Sequence, residues 1–198
     1  MGICVQPPMM VMEYLPRGSV YDILYDKDKE VHWTLVYKFA LEAAKGMTRL
    51  HSESILHRDL KSKNLLVDYN WTVKVSDFGL SGLKESWLDE DARTEVALGT
   101  LPWTAPEIFD EKPHTEKSDV YSYGVILYEL LSRRKPWEDR VQESIPHLVG
   151  VKQLRPTLTS STIEELLPIE QLMTKCWNQN PKLRYFIFLI PKLYAWET

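Results

Sequence analysis

The run Val120 to Leu131, VYSYGVILYELL, constrains this chain more than any other stretch. It is apolar almost all the way round a helix, and a helix without a polar stripe has to be enclosed on every side. The rest of the chain must therefore supply enough structure to wrap it, and Pro136 is expected to end it. The helix beginning at Thr34 meets part of that need. Leu35, Val36, Phe39, Ala40, Ala43, Ala44, Met47 and Leu50 fall on one stripe, with Thr34 as the cap. Ser19 caps a short helix running to about Tyr25, and further helices are expected within 139–150, 162–177 and 182–195. Strands are few: Met9 to Tyr14, closed by the turn signal Pro16-Arg17-Gly18, then Ile55-Leu56, then Leu65 to Val67 and Val73 to Val75 joined at Tyr69-Asn70. The predicted class is mainly α with a small β-hairpin, an α+β arrangement.

Composition narrows the function. A net charge of -4 argues against a general nucleic-acid or anionic-membrane binder. No stretch approaches the ~20 apolar residues of a membrane span. Cys4 and Cys176 are the only cysteines, which suits a reducing, cytoplasmic setting and no disulfide framework.

The chemistry concentrates in His57-Arg58-Asp59-Leu60-Lys61-Ser62-Lys63-Asn64 and Asp77-Phe78-Gly79. Phosphoryl transfer needs a carboxylate to take the hydroxyl proton, a cation beside the moving phosphate and oxygen ligands for Mg²⁺. Asp59 can be that carboxylate, Lys61 the cation, and Asn64 with Asp77 the metal ligands. Each motif alone could be an ordinary turn, but both in this order, each beside an apolar strand-like run, point to this chemistry. The segment from Leu80 to Thr104 is too long for a plain connection and reads as a functional loop.

Followed in order by GTLPWTAPE, DVYSYG, KPW and CWNQNPKLR, these motifs resemble the protein kinase family over nearly the whole chain. The resemblance implies a protein serine or threonine hydroxyl as substrate and ATP with Mg²⁺ as cofactors. MEYLPRGS would be the hinge between two lobes. Met12 would stand beside the adenine, the Glu13 and Leu15 backbones would bond its edge, Leu66 would lie beneath the ring and Ser19 near the ribose. Lys61 and Thr100 resemble the serine/threonine arrangement, with the threonine hydroxyl bridging Asp59 and Lys61. HRDLKS and Trp103 look most like the tyrosine-kinase-like group, which includes Raf-like and mixed-lineage kinases.

The resemblance also assigns supporting roles. Asp119 would accept hydrogen bonds from the backbone around His57 and Arg58, although a helix N-cap also accounts for an acid there. Glu107 and Arg184 would pair, unless they are two unrelated surface charges. A phosphate on Thr94, or second on Ser86, would be held by Arg58.

Departures matter as well. None of the eight glycines forms a G-x-G-x-x-G loop, and there is no V-A-I-K lysine or partner glutamate. The expected division is a partial kinase domain over 1–198, with 1–14 as a remnant strand and hinge start and 15–198 as the C-terminal lobe. Met1, Met9, Val11 and Leu15 would then form an exposed apolar patch. Two readings compete. One is an enzyme with intact catalytic residues in a partial chain; the other is a kinase-like binding module that does not catalyse.

Overall fold

A computed structural model describes residues 2–5, 8–77, 82–83, 98–158 and 163–193, with side chains described for 11–77, 100–158 and 163–192. The described residues are mostly helical, with three small antiparallel strand pairs among them.

At its centre is α4, Glu116–Ser132, in which Val120, Tyr121, Tyr123, Val125, Ile126 and Leu127 are all buried. It extends beyond the apolar run at its start because Thr115 and Ser118 form a capping box there. Its end is set by Arg133, which turns into the left-handed region at φ 52°, before Pro136 is reached. Two helices pack on it. From one side comes α2, Trp33–Ser52, whose predicted stripe faces the core through Val36, Phe39, Ala40, Ala43, Ala44 and Met47. The cap of α2 is His32 rather than Thr34: the Thr34 N–H donates to His32 Nδ1 at 3.4 Å. The Tyr123 hydroxyl ties the pair together by donating to the Ala40 carbonyl at 2.9 Å.

From the other side comes α5, Leu167–Cys176. The two backbones approach at Gly124, where a Cβ would lie 2.9 Å from the Trp177 nitrogen and 3.0 Å from the Cys176 Cβ. Only glycine leaves room for that approach.

The strands are smaller than expected at the start of the chain. The single strand predicted over Met9 to Tyr14 is instead a hairpin of β1, Gly2–Val5, with β2, Pro8–Val11, in the register Gly2 to Val11. Residues 12–15 then run without regular structure into the turn at Pro16 and Arg17. Helix α1, Val20–Tyr25, starts at Ser19 as predicted. The next strand, β3 at Ile55–Leu56, pairs with β6 at Gly82–Leu83. The predicted hairpin of β4, Leu65–Val67, and β5, Val73–Val75, turns at Tyr69-Asn70, where Asp68 Oδ1 accepts from the N–H groups of Asn70 and Thr72 at 2.8 Å each. Residues 57–64, between β3 and β4, thus hang from two short strand pairs above the α2–α4 core.

Candidate active site

Asp119 organises the loop. It lies inside the first turn of α4, and since Thr115 is the cap, the N-cap reading of Asp119 falls. Its carboxylate is 2% exposed and accepts from His51 Nε2 at 2.8 Å, the His57 N–H at 3.0 Å and the Arg58 N–H at 3.0 Å. Burial pushes this carboxyl up, but the His51 hydrogen bond and charge, together with the His57 N–H, outweigh burial and hold it below the ordinary range. The anchoring holds Arg58 in the left-handed region at φ 66°. The buried His57 ring fixes the other side of the loop. Its Nε2 lies 3.0 Å from the Ser76 carbonyl, which can only accept, so Nε2 carries the proton and Nδ1 accepts from the Asp59 N–H at 3.3 Å.

Asp59 is thereby presented in a nearly closed niche. Its Oδ2 accepts from Lys61 Nζ at 2.6 Å and from Asn64 Nδ2 at 3.3 Å, while Oδ1 is buried with no protein partner among the described residues. Lys61 Nζ also donates to Thr100 Oγ1 at 3.2 Å. The expected trio is assembled, but in a different order. The ammonium sits between Asp59 and Thr100, where the resemblance implied a bridging hydroxyl, because an ammonium has three donors to distribute and a hydroxyl has one.

Asn64 spends both amide hydrogens on Asp59, on its carbonyl at 2.9 Å and on its carboxylate. The amide oxygen is the end left for a cation. Asp77 comes close through its neighbour: the Ser76 N–H donates to the Asn64 carbonyl at 2.9 Å. Asp77 is exposed and left-handed at φ 62°. One amide oxygen and one carboxylate are hard donors that fit Mg²⁺, an ion that keeps several waters of its own.

The predicted nucleotide contacts divide. Leu66 is half-exposed between the buried Leu65 and Val67, on the other face of its strand. Met12 is 66% exposed, and Leu15 is half-buried. The Glu13 carboxylate is held by Lys74 Nζ at 2.7 Å to each oxygen, leaving its backbone for any adenine contact. Ser19 is 5% exposed, and its hydroxyl donates to Asp22 Oδ2 at 2.7 Å and accepts from the Asp22 N–H at 3.1 Å, so its hydroxyl proton is committed to the helix cap. Its backbone still bridges to Leu66. Phe78, Gly79, Thr94 and Ser86 lie outside the described residues.

Glu107 and Arg184 meet. Both guanidinium NH groups donate to the carboxylate, at 2.6 and 2.7 Å, with the residues 7% and 3% exposed. Sequence reasoning missed a further buried acid, Glu129. Its Oε1 accepts from Ser62 Oγ at 2.7 Å and the Tyr25 hydroxyl at 2.8 Å, and its Oε2 from Trp103 Nε1 at 2.7 Å. It joins the catalytic loop, the segment after Thr100 and α1. The signal was available: one carboxylate inside an otherwise apolar helix must be satisfied by hydrogen bonds or stay neutral.

Residues 1–191 match the family described as protein tyrosine and serine/threonine kinase. The chain is 42% identical over 188 residues to the probable serine/threonine-protein kinase drkA of Dictyostelium discoideum, covering 93% of this chain and 28% of that one. It is also 42% identical over 191 residues to the probable serine/threonine-protein kinase SIS8 of Arabidopsis thaliana, covering 93% of this chain and 18% of that one. To serine/threonine-protein kinase STY46 of the same plant it is 39% identical, over 92% of this chain and 31% of the relative. The chain spans about a third or less of the length of these relatives.

Proposed function

Because the chain belongs to the protein tyrosine and serine/threonine kinase family, we propose that it carries the catalytic lobe of a protein kinase that transfers the γ-phosphate of ATP to serine or threonine. The observation that supports this best is the Lys61 ammonium held between Asp59 and Thr100 while Asp59 Oδ1 is buried with no hydrogen-bond partner among the described residues. In this reading a substrate hydroxyl donates its hydrogen bond to Oδ1. As its oxygen bonds to the γ-phosphorus, the bond to the bridging oxygen breaks, ADP leaves with that electron pair, and the proton passes to Asp59. Lys61 remains beside the transferred group, and the Thr100 hydroxyl holds it there. Asn64 and Asp77 would hold Mg²⁺, which neutralises charge on the phosphates. His57 and Asp119 act as positioning residues, fixing the backbone from which Asp59 projects. HRDLKS and Trp103 favour the tyrosine-kinase-like group within the family, and the relatives named as serine/threonine kinases favour a serine or threonine acceptor.

The test is transfer of labelled γ-phosphate to a generic protein substrate by a protein that carries G-x-G-x-x-G and V-A-I-K motifs ahead of this chain. Phosphoserine and phosphothreonine are expected, with Asp59→Asn reducing turnover by at least about a hundredfold. Turnover that survives Asp59→Asn, or yields phosphotyrosine alone, would overturn the reading.

A further inference from the structure

The loop that carries Asp59 and the segment that carries Thr100 meet twice. In the site, Lys61 Nζ donates to Thr100 Oγ1 at 3.2 Å, a long contact for an ammonium. Beneath the site, Glu129 of α4 takes Ser62 Oγ on Oε1 at 2.7 Å and Trp103 Nε1 on Oε2 at 2.7 Å. Ser62 follows Lys61 directly. Trp103 belongs to the same turn as Thr100, Leu98–Trp103, and the Thr104 hydroxyl closes that turn on the Thr100 carbonyl at 3.1 Å. The Ser122 hydroxyl fixes the Trp103 carbonyl to α4 at 2.8 Å. The contacts therefore form a closed ring, Glu129 to Ser62, Lys61 to Thr100, Trp103 back to Glu129, and slack in the lower contact is felt in the upper one.

A proton has one place to enter this ring. The Trp103 N–H can only donate, so Oε2 must stay an acceptor and a proton on the carboxyl sits on Oε1. Oε1 also accepts from the Tyr25 hydroxyl at 2.8 Å, and Tyr25 can turn to the Arg134 carbonyl at 3.0 Å. Among the described residues the Ser62 hydroxyl has no second acceptor. Tyr25 therefore yields, and Ser62 and Trp103 are left donating to a neutral carboxyl, in bonds roughly half as strong as those to a carboxylate. The surrounding groups set where this happens. From α1 comes Tyr25, with Tyr21 and Tyr128 beside it; burial and the Glu129 charge push its hydroxyl up, so it keeps its proton. From the catalytic loop comes Lys63, whose charge favours the carboxylate. Beyond α4, the Arg133 guanidinium is spent on the Leu24 and Asp26 carbonyls, and that of Arg134 approaches Glu138. We propose that Glu129 is a positioning residue whose carboxylate fastens the loop bearing Asp59 and Lys61 to the segment bearing Thr100, and that uptake of one proton slackens the fastening and slows transfer. The effect on transfer rests on the kinase reading; the effect of the proton on Trp103 does not.

Two readouts test this. The first is the indole N–H resonance of Trp103 in the isotope-labelled 198-residue chain, assigned by its loss in Trp103→Phe. It is expected to move downfield as the carboxyl ionises, with a midpoint at about pH 7, and to stay in place in Glu129→Gln, which keeps the hydrogen bond but cannot ionise. Ser62→Ala removes a donor that favours the charged form, so the midpoint should rise. The second readout is kcat with saturating ATP·Mg and a serine peptide, for a protein carrying G-x-G-x-x-G and V-A-I-K motifs ahead of this chain. The ratio of parent to Glu129→Gln should grow through the same midpoint, on the order of three- to tenfold, with KM for the peptide little changed. In Ser62→Ala the growth of kcat with pH should shrink, because the loop no longer hangs on the carboxylate; this variant carries the test where Glu129→Gln fails to fold. An indole resonance that does not titrate, or that titrates equally in Glu129→Gln, overturns the proposal. So does a kcat ratio that stays constant while the indole titrates, or a pH effect confined to KM. Absent turnover by the longer protein with the indole titration in place would remove the kinase reading and leave the proton's effect on Trp103 standing.

Discussion

Glu129 shows how one residue can set the chemistry of its surroundings. Burial pushes its carboxyl up to about 7, against the opposing effect of hydrogen bonds from Ser62, Trp103 and Tyr25. The network accommodates both protonation states. The Tyr25 hydroxyl also lies 3.0 Å from the Arg134 carbonyl, so it can turn its proton there and accept one from a neutral Glu129. A carboxyl raised in the fold binds a proton that the unfolded chain has already released, so its contribution is fully present below about pH 4.5 and is lost as the pH rises through about 7. The loss amounts to about 3 kcal/mol at the upper end. Glu129→Gln keeps an oxygen for Trp103 and N–H donors for the two hydroxyls, but it cannot titrate. Melting curves across this range should therefore show the parent losing stability relative to Glu129→Gln as the pH rises. Parallel curves would mean that Glu129 is ionised throughout.

Between elements, the pair of Glu107 and Arg184 ties two distant stretches of the chain together. It joins α3, Pro106–Phe109, to the turn after α5, and the guanidinium also donates to the Asn178 carbonyl at 2.7 Å and the Lys117 carbonyl at 2.8 Å. Removing one partner leaves the other charge buried and unpaired, which costs about 3–5 kcal/mol. Arg184→Ala should lower the melting temperature strongly and the exposed Arg140→Ala hardly at all. Arg133→Ala should fall between them, because its guanidinium caps carbonyls of α1 and Asp26. Equal melting temperatures for Arg184→Ala and Arg140→Ala would show that the pair contributes nothing. This contact was legible in the sequence only through motif spacing, since its members are 77 positions apart. The α2 stripe and the α4 run were legible directly, because helix burial writes itself in periodicity. Caps were harder to place. His32 and Thr115 beat their neighbours through local side-chain hydrogen bonds that composition does not rank. The β1–β2 hairpin escaped in part: the strand was read from the apolar run at Met9 to Tyr14, which is extended only as far as Val11, and its partner Gly2–Val5 was not read at all.

Across the whole molecule, the site is built from one side. Lys61, Asn64, Asp77 and Leu66 all rise from the helical body, and within these 198 residues no G-x-G-x-x-G loop or V-A-I-K lysine faces them. The stretch leading into Pro16 shows apolar groups to solvent: Val11 is 59%, Met12 66% and Tyr14 84% exposed. A loose, highly charged transition state is stabilised by position and by electrostatics in a place without water. Each charge contact weakens as the effective dielectric rises toward that of water, by up to about fourfold between a surface value near 20 and bulk water near 80. On the proposed reading Asp59 takes a proton and Asn64 with Asp77 holds a metal, but these 198 residues carry no G-x-G-x-x-G loop or V-A-I-K lysine to cover the phosphates. Residues 1–198 alone should therefore bind ATP·Mg weakly, in the high micromolar range or above, and transfer phosphate at or near background. The same residues behind a lobe carrying both motifs should show Asp59-dependent turnover. Calorimetric titration with ATP·Mg and a labelled-phosphate assay on the two proteins check this. Robust Asp59-dependent transfer by the 198 residues alone would mean that the helical body excludes water from the phosphates without help.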